Sequence, residues 1–204
     1  MRAGKPLLGL KVQLLLNEKV ASQWAVSDAN GVYNVSVPAG QYLISGYKLD
    51  SGIANELLAG MIMHPEQHRA GQQSEPMSVA PGKLGTGLDF SFAAPVVLIE
   101  PSGVVTGGAN VKASWEAYPG AVTYRLQLEE RLSERNYESI KFLPEYSPSP
   151  QVTTSSVDLS TIGVTLKSGH FYILHIEALD KSGEPISRTV DSYRRRGFVM
   201  AATN

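Results

Sequence analysis

The feature that most constrains this chain is a strict period of two in its apolar side chains, cut at short intervals by Gly, Pro, Asn and Asp. Leu10, Val12, Leu14 and Leu16 share one parity, while Lys11, Gln13 and Leu15 share the other. Successive side chains of a strand point to opposite faces, so this pattern reads as a half-buried β-strand. Asn17-Glu18-Lys19 turns, and Trp24 and Val26 continue in extended form. Asp28-Ala29-Asn30-Gly31 then supplies residues that tolerate positive φ, a hairpin signal. Val32–Val37 alternates again with Tyr33, Val35 and Val37 on one face, Pro38-Ala39-Gly40 turns, and Tyr42 and Ile44 resume. Turn signals spaced about ten residues apart predict antiparallel sheets packed as a sandwich.

Leu57–Met63 is apolar and reads as either a strand or a short helix, and Pro65–Gln73 as a polar loop. Met77-Ser78-Val79 and the stretch from Leu84 to Phe92 read as closing strands, with Leu88, Phe90 and Phe92 on one face. Ala93-Ala94-Pro95 is the expected joint between two domains, since a short Ala/Pro segment follows a completed strand. Beyond it, Val111, Ala113 and Trp115 alternate, as do Tyr124, Leu126 and Leu128, and Tyr172, Leu174, Ile176 and Ala178. Turns fall at Pro101-Ser102-Gly103, Pro119-Gly120, Lys167-Ser168-Gly169 and Asp180-Lys181-Ser182-Gly183, and Phe198-Val199-Met200 closes the chain. The expected architecture is all-β, two tandem sandwiches over residues 1–94 and 95–204.

Two resemblances sharpen this expectation. Gly4-Lys5-Pro6-Leu7-Leu8-Gly9-Leu10-Lys11-Val12, then Ser27-Asp28-Ala29-Asn30-Gly31-Val32-Tyr33, then Val37-Pro38-Ala39-Gly40-Gln41-Tyr42, is similar to the carboxypeptidase regulatory-like domain. The resemblance covers about residues 4–50 and implies a transthyretin-like, seven-stranded sandwich, grouped by fold with starch-binding modules. That family begins with an earlier Gly-x-Val strand. Either such a strand has been trimmed ahead of residue 1, or the first sheet keeps an open edge that favours self-association. The second half resembles a fibronectin type III domain over about residues 95–201. The residues that carry this likeness are Trp115, Gly120-Ala121-x-x-Tyr124-x-Leu126, and Leu166-x-x-Gly169-x-x-Tyr172-x-Leu174-x-Ile176-x-Ala178. Residues 130–150 run longer and more irregularly than in that family.

Composition excludes several function classes. Lys+Arg is 18 against Asp+Glu 19, a net charge of −1 that argues against a nucleic-acid or anionic-membrane surface. Cys is 0, which removes disulfide frameworks, zinc–thiolate sites, iron–sulfur clusters and thiol nucleophiles. No run of about 18 apolar residues exists to cross a membrane as a helix. The segment from Arg2 to Leu16 faintly resembles a signal peptide, but Lys11 and Gln13 break its apolar run and no small-x-small cleavage site follows, so it reads as strand.

The residues with chemical potential have plainer readings beside them. His64-Pro65-Glu66-Gln67-His68 invites a metal, but Pro65 removes the helical spacing that would aim both imidazoles at one point, and a solvated loop is expected. Asp28-Ala29-Asn30-Gly31 opens like a calcium loop, but Val32 and Ala39 stand where further oxygen ligands are required, which leaves the hairpin turn. His170 begins a strand. His175 is out of phase with Tyr172, Leu174 and Ile176, and is expected to face solvent. No Gly-x-Ser-x-Gly elbow and no phosphate loop are present. Arg194-Arg195-Arg196 reads as edge protection or a solvated turn. Asn34-Val35-Ser36 fits a glycosylation acceptor but is discounted by its expected place inside a strand. Trp24 shares a face with Val26 and is expected in the core, whereas Tyr137, Phe142 and Tyr146 lie in the irregular stretch and are the candidate ligand-binding rings.

The expected function is a non-catalytic binding or spacer module of a bacterial envelope or extracellular protein, without cofactor or metal, acting through protein–protein or protein–glycan contact. The alternative is a carbohydrate-binding module using exposed aromatics. It rests only on the fold grouping of the first domain, an analogy rather than a site. A secreted, periplasmic or envelope location goes with either reading.

Overall fold

A computed structural model of the protein describes residues 4–16, 19–42, 47–63, 77–85, 89–106, 110–136, 140–144, 149–190 and 197–201. The fold is all-β, with one α-helix among the described residues. The chain divides into two compact units, Met1–Ala94 and Pro95–Asn204.

In the first unit, β1 (Lys11–Leu16) is the central strand. It pairs antiparallel with β2 (Lys19–Val20) and β3 (Ala25–Val26) along one edge. The next elements in chain order are β4 (Gly40–Tyr42) and β5 (Tyr47–Leu49), and β5 pairs with the other edge of β1. A short helix, α1 (Ser51–Leu57), follows, capped by the Asp50 carboxylate accepting from the Ile53 amide. Three short strands complete the unit: β6 (Ile62–Met63), β7 (Met77–Val79) and β8 (Phe92–Ala93). They form the pairs β4–β7 and β6–β8. The apolar stretch read as strand or helix is therefore both in turn: the end of α1, then β6.

The period-two reading of β1 holds: Leu10, Val12 and Leu14 are buried with Leu7, Leu58, Phe90 and Phe92. Between β2 and β3, and again just past β3, serine hydroxyls take up backbone groups of the neighbouring segment. Ser22 Oγ accepts from the Leu14 amide and donates to the Gln23 carbonyl. Ser27 Oγ accepts from the Leu10 amide and donates to the Leu7 carbonyl. Buried backbone groups must find partners, and here side chains supply them where strand pairing lapses. Two expectations are corrected. Val32–Val37 is not a laddered strand; Tyr33, Val35 and Val37 still pack on the core and Val32 is exposed, so alternation survives without pairing. Leu84 is exposed and outside any strand, so the closing strand shortens to β8. Leu88 lies outside the described residues.

The second unit is a two-sheet sandwich. The smaller sheet has β11 (Lys112–Trp115) at its centre, between β9 (Leu98–Glu100) and β15 (Ser156–Asp158). The larger sheet orders β10 (Gly103–Val105), β18 (Phe198–Met200), β16 (Phe171–Leu179), β12 (Thr123–Arg131) and β13 (Lys141–Leu143). Strands β14 (Gln151–Val152) and β17 (Pro185–Arg188) pair beside β12 and β16. A 3-10 turn over Leu159–Ile162 follows β15 and closes on Gly163, whose left-handed backbone (φ 78°) suits glycine. The core lies between the sheets: Ala113 and Trp115 from one, and Tyr124, Leu126, Leu128, Tyr172, Leu174, Ile176 and Ala178 from the other.

Strands β12 and β16 are nine residues each and pair along their whole length, from Thr123↔Leu179 to Arg131↔Phe171. Hydroxyls of two core tyrosines tie the adjoining turns, accepting from backbone amides: Tyr124 from Tyr118 (2.8 Å) and Tyr172 from Lys167 (2.7 Å). At the end of β16, the buried Phe171 ring occupies the space a Cβ on Gly197 would need. Overpacking a buried contact costs about 1–3 kcal/mol. Gly197→Ala is therefore expected to lower unfolding free energy by that amount in urea titration, and an unchanged midpoint would refute the packing.

Candidate functional site

Of the three candidate rings, Tyr137 and Tyr146 lie outside the described residues, as do His64, His68 and Arg194–Arg196. Phe142 is on β13 opposite Glu129, 44% exposed, with its edge toward the His175 ring at 5.9 Å. The structure thus brings Phe142 together with a histidine expected in open solvent. His175 is instead half-buried, with Nε2 3.0 Å from Glu129 Oε2.

Glu129 and Glu130 are consecutive in β12, so their carboxylates point to opposite faces of the larger sheet. Both are nearly inaccessible, at 4% and 3% exposure. A carboxylate stripped of water is costly unless donors replace the water, and each face supplies them. On the outer face, Nε and Nη2 of Arg131 converge on Glu129 Oε1 while His175 takes Oε2. Arg131 also donates from Nη1 to the Glu134 carbonyl (3.1 Å). On the core face, Glu130 Oε1 receives the Tyr172 hydroxyl (3.0 Å) and lies 2.8 Å from His170 Nδ1, while Oε2 receives Lys167 Nζ (3.1 Å). Burial pushes the Glu130 carboxyl up, but hydrogen bonds from Lys167, Tyr172 and His170, with the Lys167 charge, hold it below its ordinary value of 4.5. The Tyr172 hydroxyl is raised to about 12, by burial first and then by the adjacent Glu130.

These networks tie β12 to β16 and to the turn before it, and sequence reading missed them. Glu129-Glu130-Arg131 looks like a charged strand end. The overlooked signal is parity: Glu130 continues the inward phase of Tyr124, Leu126 and Leu128, and so does its partner Tyr172 in the facing strand.

In the first unit, Trp24 is not in the core. It is 37% exposed, and Val26 is exposed beside it. The inward position of β3 is Ala25, which pairs with the buried Val12. Lys48 on β5 extends its Nζ to 5.9 Å from the centre of the Trp24 ring, within range of a cation–π contact. Asp28 acts as the hairpin reading requires, its carboxylate accepting from the Asn30 and Val32 amides, both at 2.9 Å. Asn34 is exposed and outside any ladder, so the strand argument against it as an acceptor does not stand. Among the described residues no group of three or more His, Asp or Glu side chains is placed to hold a metal. Nor is any helix long and apolar enough to cross a membrane.

No protein-family model matches the chain, and no curated protein sequence matches it.

Two outcomes follow from the networks. The depressed Glu130 carboxyl adds stability above the unfolded carboxylate range, and that stability is lost as pH falls through its folded value. Thermal unfolding of the wild type is therefore expected to weaken on acidification below about pH 4.5 more steeply than that of Glu130→Gln; parallel pH profiles would contradict this. On the other face, Arg131→Met strands a buried Glu129 and should cost about 3–5 kcal/mol. The double variant Glu129→Gln/Arg131→Met, which removes the stranded charge, should recover part of that loss in urea titration. No recovery would mean that Arg131 acts through packing alone.

Proposed function

We propose that this chain is a non-catalytic binding or spacer module of a bacterial envelope or extracellular protein, located outside the cytoplasm and working through protein–protein or protein–glycan contact. In this reading the first unit is carboxypeptidase regulatory-like, on the strength of its Asp28 hairpin and β1 pattern. The second is fibronectin type III-like, supported by the central Trp115 and by the Tyr172 hydroxyl bound back to the Lys167 amide. That last contact resembles the tyrosine corner of immunoglobulin-like sandwiches.

One observation carries the proposal. Among the described residues, both histidines and the two buried glutamates hold strands together: Glu129 with Arg131 and His175, and Glu130 with Lys167, His170 and Tyr172. Aromatic surface stands out at Trp24, and at Phe142 beside the His175 ring. Exposed rings on rigid sheets are contact surfaces, since they offer large area at little conformational cost. Self-association through an open edge of the first unit's sheet stays within this reading. The glycan-binding alternative is favoured by Trp24, the exposed indole with a cation at its face.

The test profiles the full chain on arrays of envelope glycans and extracellular proteins, beside Trp24→Ala and Phe142→Ala. At least one ligand is expected to bind the wild type and be released by one of the variants. Turnover of chromogenic ester, peptide or glycoside substrates that is lost in His175→Gln or His170→Gln would overturn the proposal.

A further inference from the structure

The outer face of the β1-centred sheet is laid out in rows by its register. Lys48 pairs with Gln13, and Lys11 pairs with Val26. One parity step along from Val26 places Trp24 on the same outward side, and Leu15 pairs with the exposed Val20. Gln13 is turned down to the Ser22 carbonyl, to which its Nε2 donates at 2.9 Å. The raised features of the face are therefore the Trp24 indole, the Lys48 ammonium near it, Lys11, and the methyl groups of Val20 and Val26. Among the described residues, the carboxylates that follow β3 and β5 are taken up by backbone amides: Asp28 by Asn30 and Val32, and Asp50 by Ile53.

We propose that this face binds an anionic glycan, whose pyranose ring stacks on Trp24 while its carboxylate pairs with Lys48 and Lys11. The inference rests on the binding-module reading above and names the ligand class and site for it. Two physical arguments select the occupant. Trp24, 37% exposed, matches the apolar face of a pyranose, and the Lys48 cation over its ring, which swings aside as the sugar stacks, matches a carboxylate carried on the same sugar. A second copy of the chain fits poorly. An isologous contact would bring this cationic patch against a second copy of itself, and like charges brought together are unfavourable.

The experiment titrates the full chain with oligogalacturonate, a linear uronic-acid oligomer, by calorimetry and indole fluorescence. Maltohexaose serves as a neutral sugar and a polyglutamate peptide as an acidic non-sugar. Trp24 is the reporter, because the other tryptophan, Trp115, is 2% exposed. Oligogalacturonate is expected to bind with a change in emission that weakens as salt rises. Trp24→Ala should lower affinity about tenfold, Trp24→Phe should restore part of it, and Lys48→Gln should lower it about two- to fivefold at low salt. Each variant's folding is checked by its unfolding curve.

Equal binding of maltohexaose overturns the anionic requirement. Binding of polyglutamate without oligogalacturonate overturns the sugar. No oligogalacturonate binding, or binding unaffected by Trp24→Ala, overturns the site. The binding-module reading survives each of these if an arrayed ligand is still released by Phe142→Ala.

Discussion

The second unit depends on one pairing, the nine-residue antiparallel ladder between β12 and β16. Its inward parity supplies most of the larger sheet's contribution to the core, and a one-residue slip would turn that entire set outward. The same register places Glu129 and Glu130 where cationic and hydroxyl partners converge on them. Charge and packing thus specify one alignment together: only with Leu128 opposite Leu174 does Glu130 meet Tyr172. A buried ion pair is weak evidence for stability by itself. A pair that is satisfied in a single register also discriminates against a two-residue slip, which leaves the inward parity unchanged.

Much of this was legible from the residues, because alternation reports which side chains share a face. Leu10, Val12 and Leu14, and likewise Tyr172, Leu174, Ile176 and Ala178, lie inward as their period requires. Turns built on Asp28 and Asp180 were legible too, since these carboxylates cap the amides ahead of them. Alternation does not report which face is inside when a strand is two residues long. Trp24 and Val26 do share a face, but the small Ala25 between them is the one that packs on Val12. Bulk suggested the wrong orientation, and the interruption at Ser22 and Gln23 separates β3 from the longer pattern that would have fixed it.

The polar networks were hidden for a different reason. A charged residue in sequence is read as solvent-facing because burial of an unpaired charge is prohibitive. The partners that make burial acceptable are distant in sequence: His175 is 46 residues from Glu129, and Tyr172 is 42 residues from Glu130. Only the sheet brings them together. The same holds for Lys48 and Trp24, which meet across β1 although neither carries a motif. The rings that sequence favoured, Tyr137, Phe142 and Tyr146, were chosen by their place in an irregular stretch, and a stretch of sequence does not report which distant side chain a ring will meet, as Phe142 meets His175.

A second unit held by this ladder opens it last, and native-state hydrogen exchange reads that order residue by residue. Amides of β12 and β16 are expected to exchange only through global unfolding, with protection matching the unfolding free energy, while those of β10 and β13 at the sheet edges exchange sooner. Exchange of the β12 and β16 amides as fast as those edge strands would contradict the account.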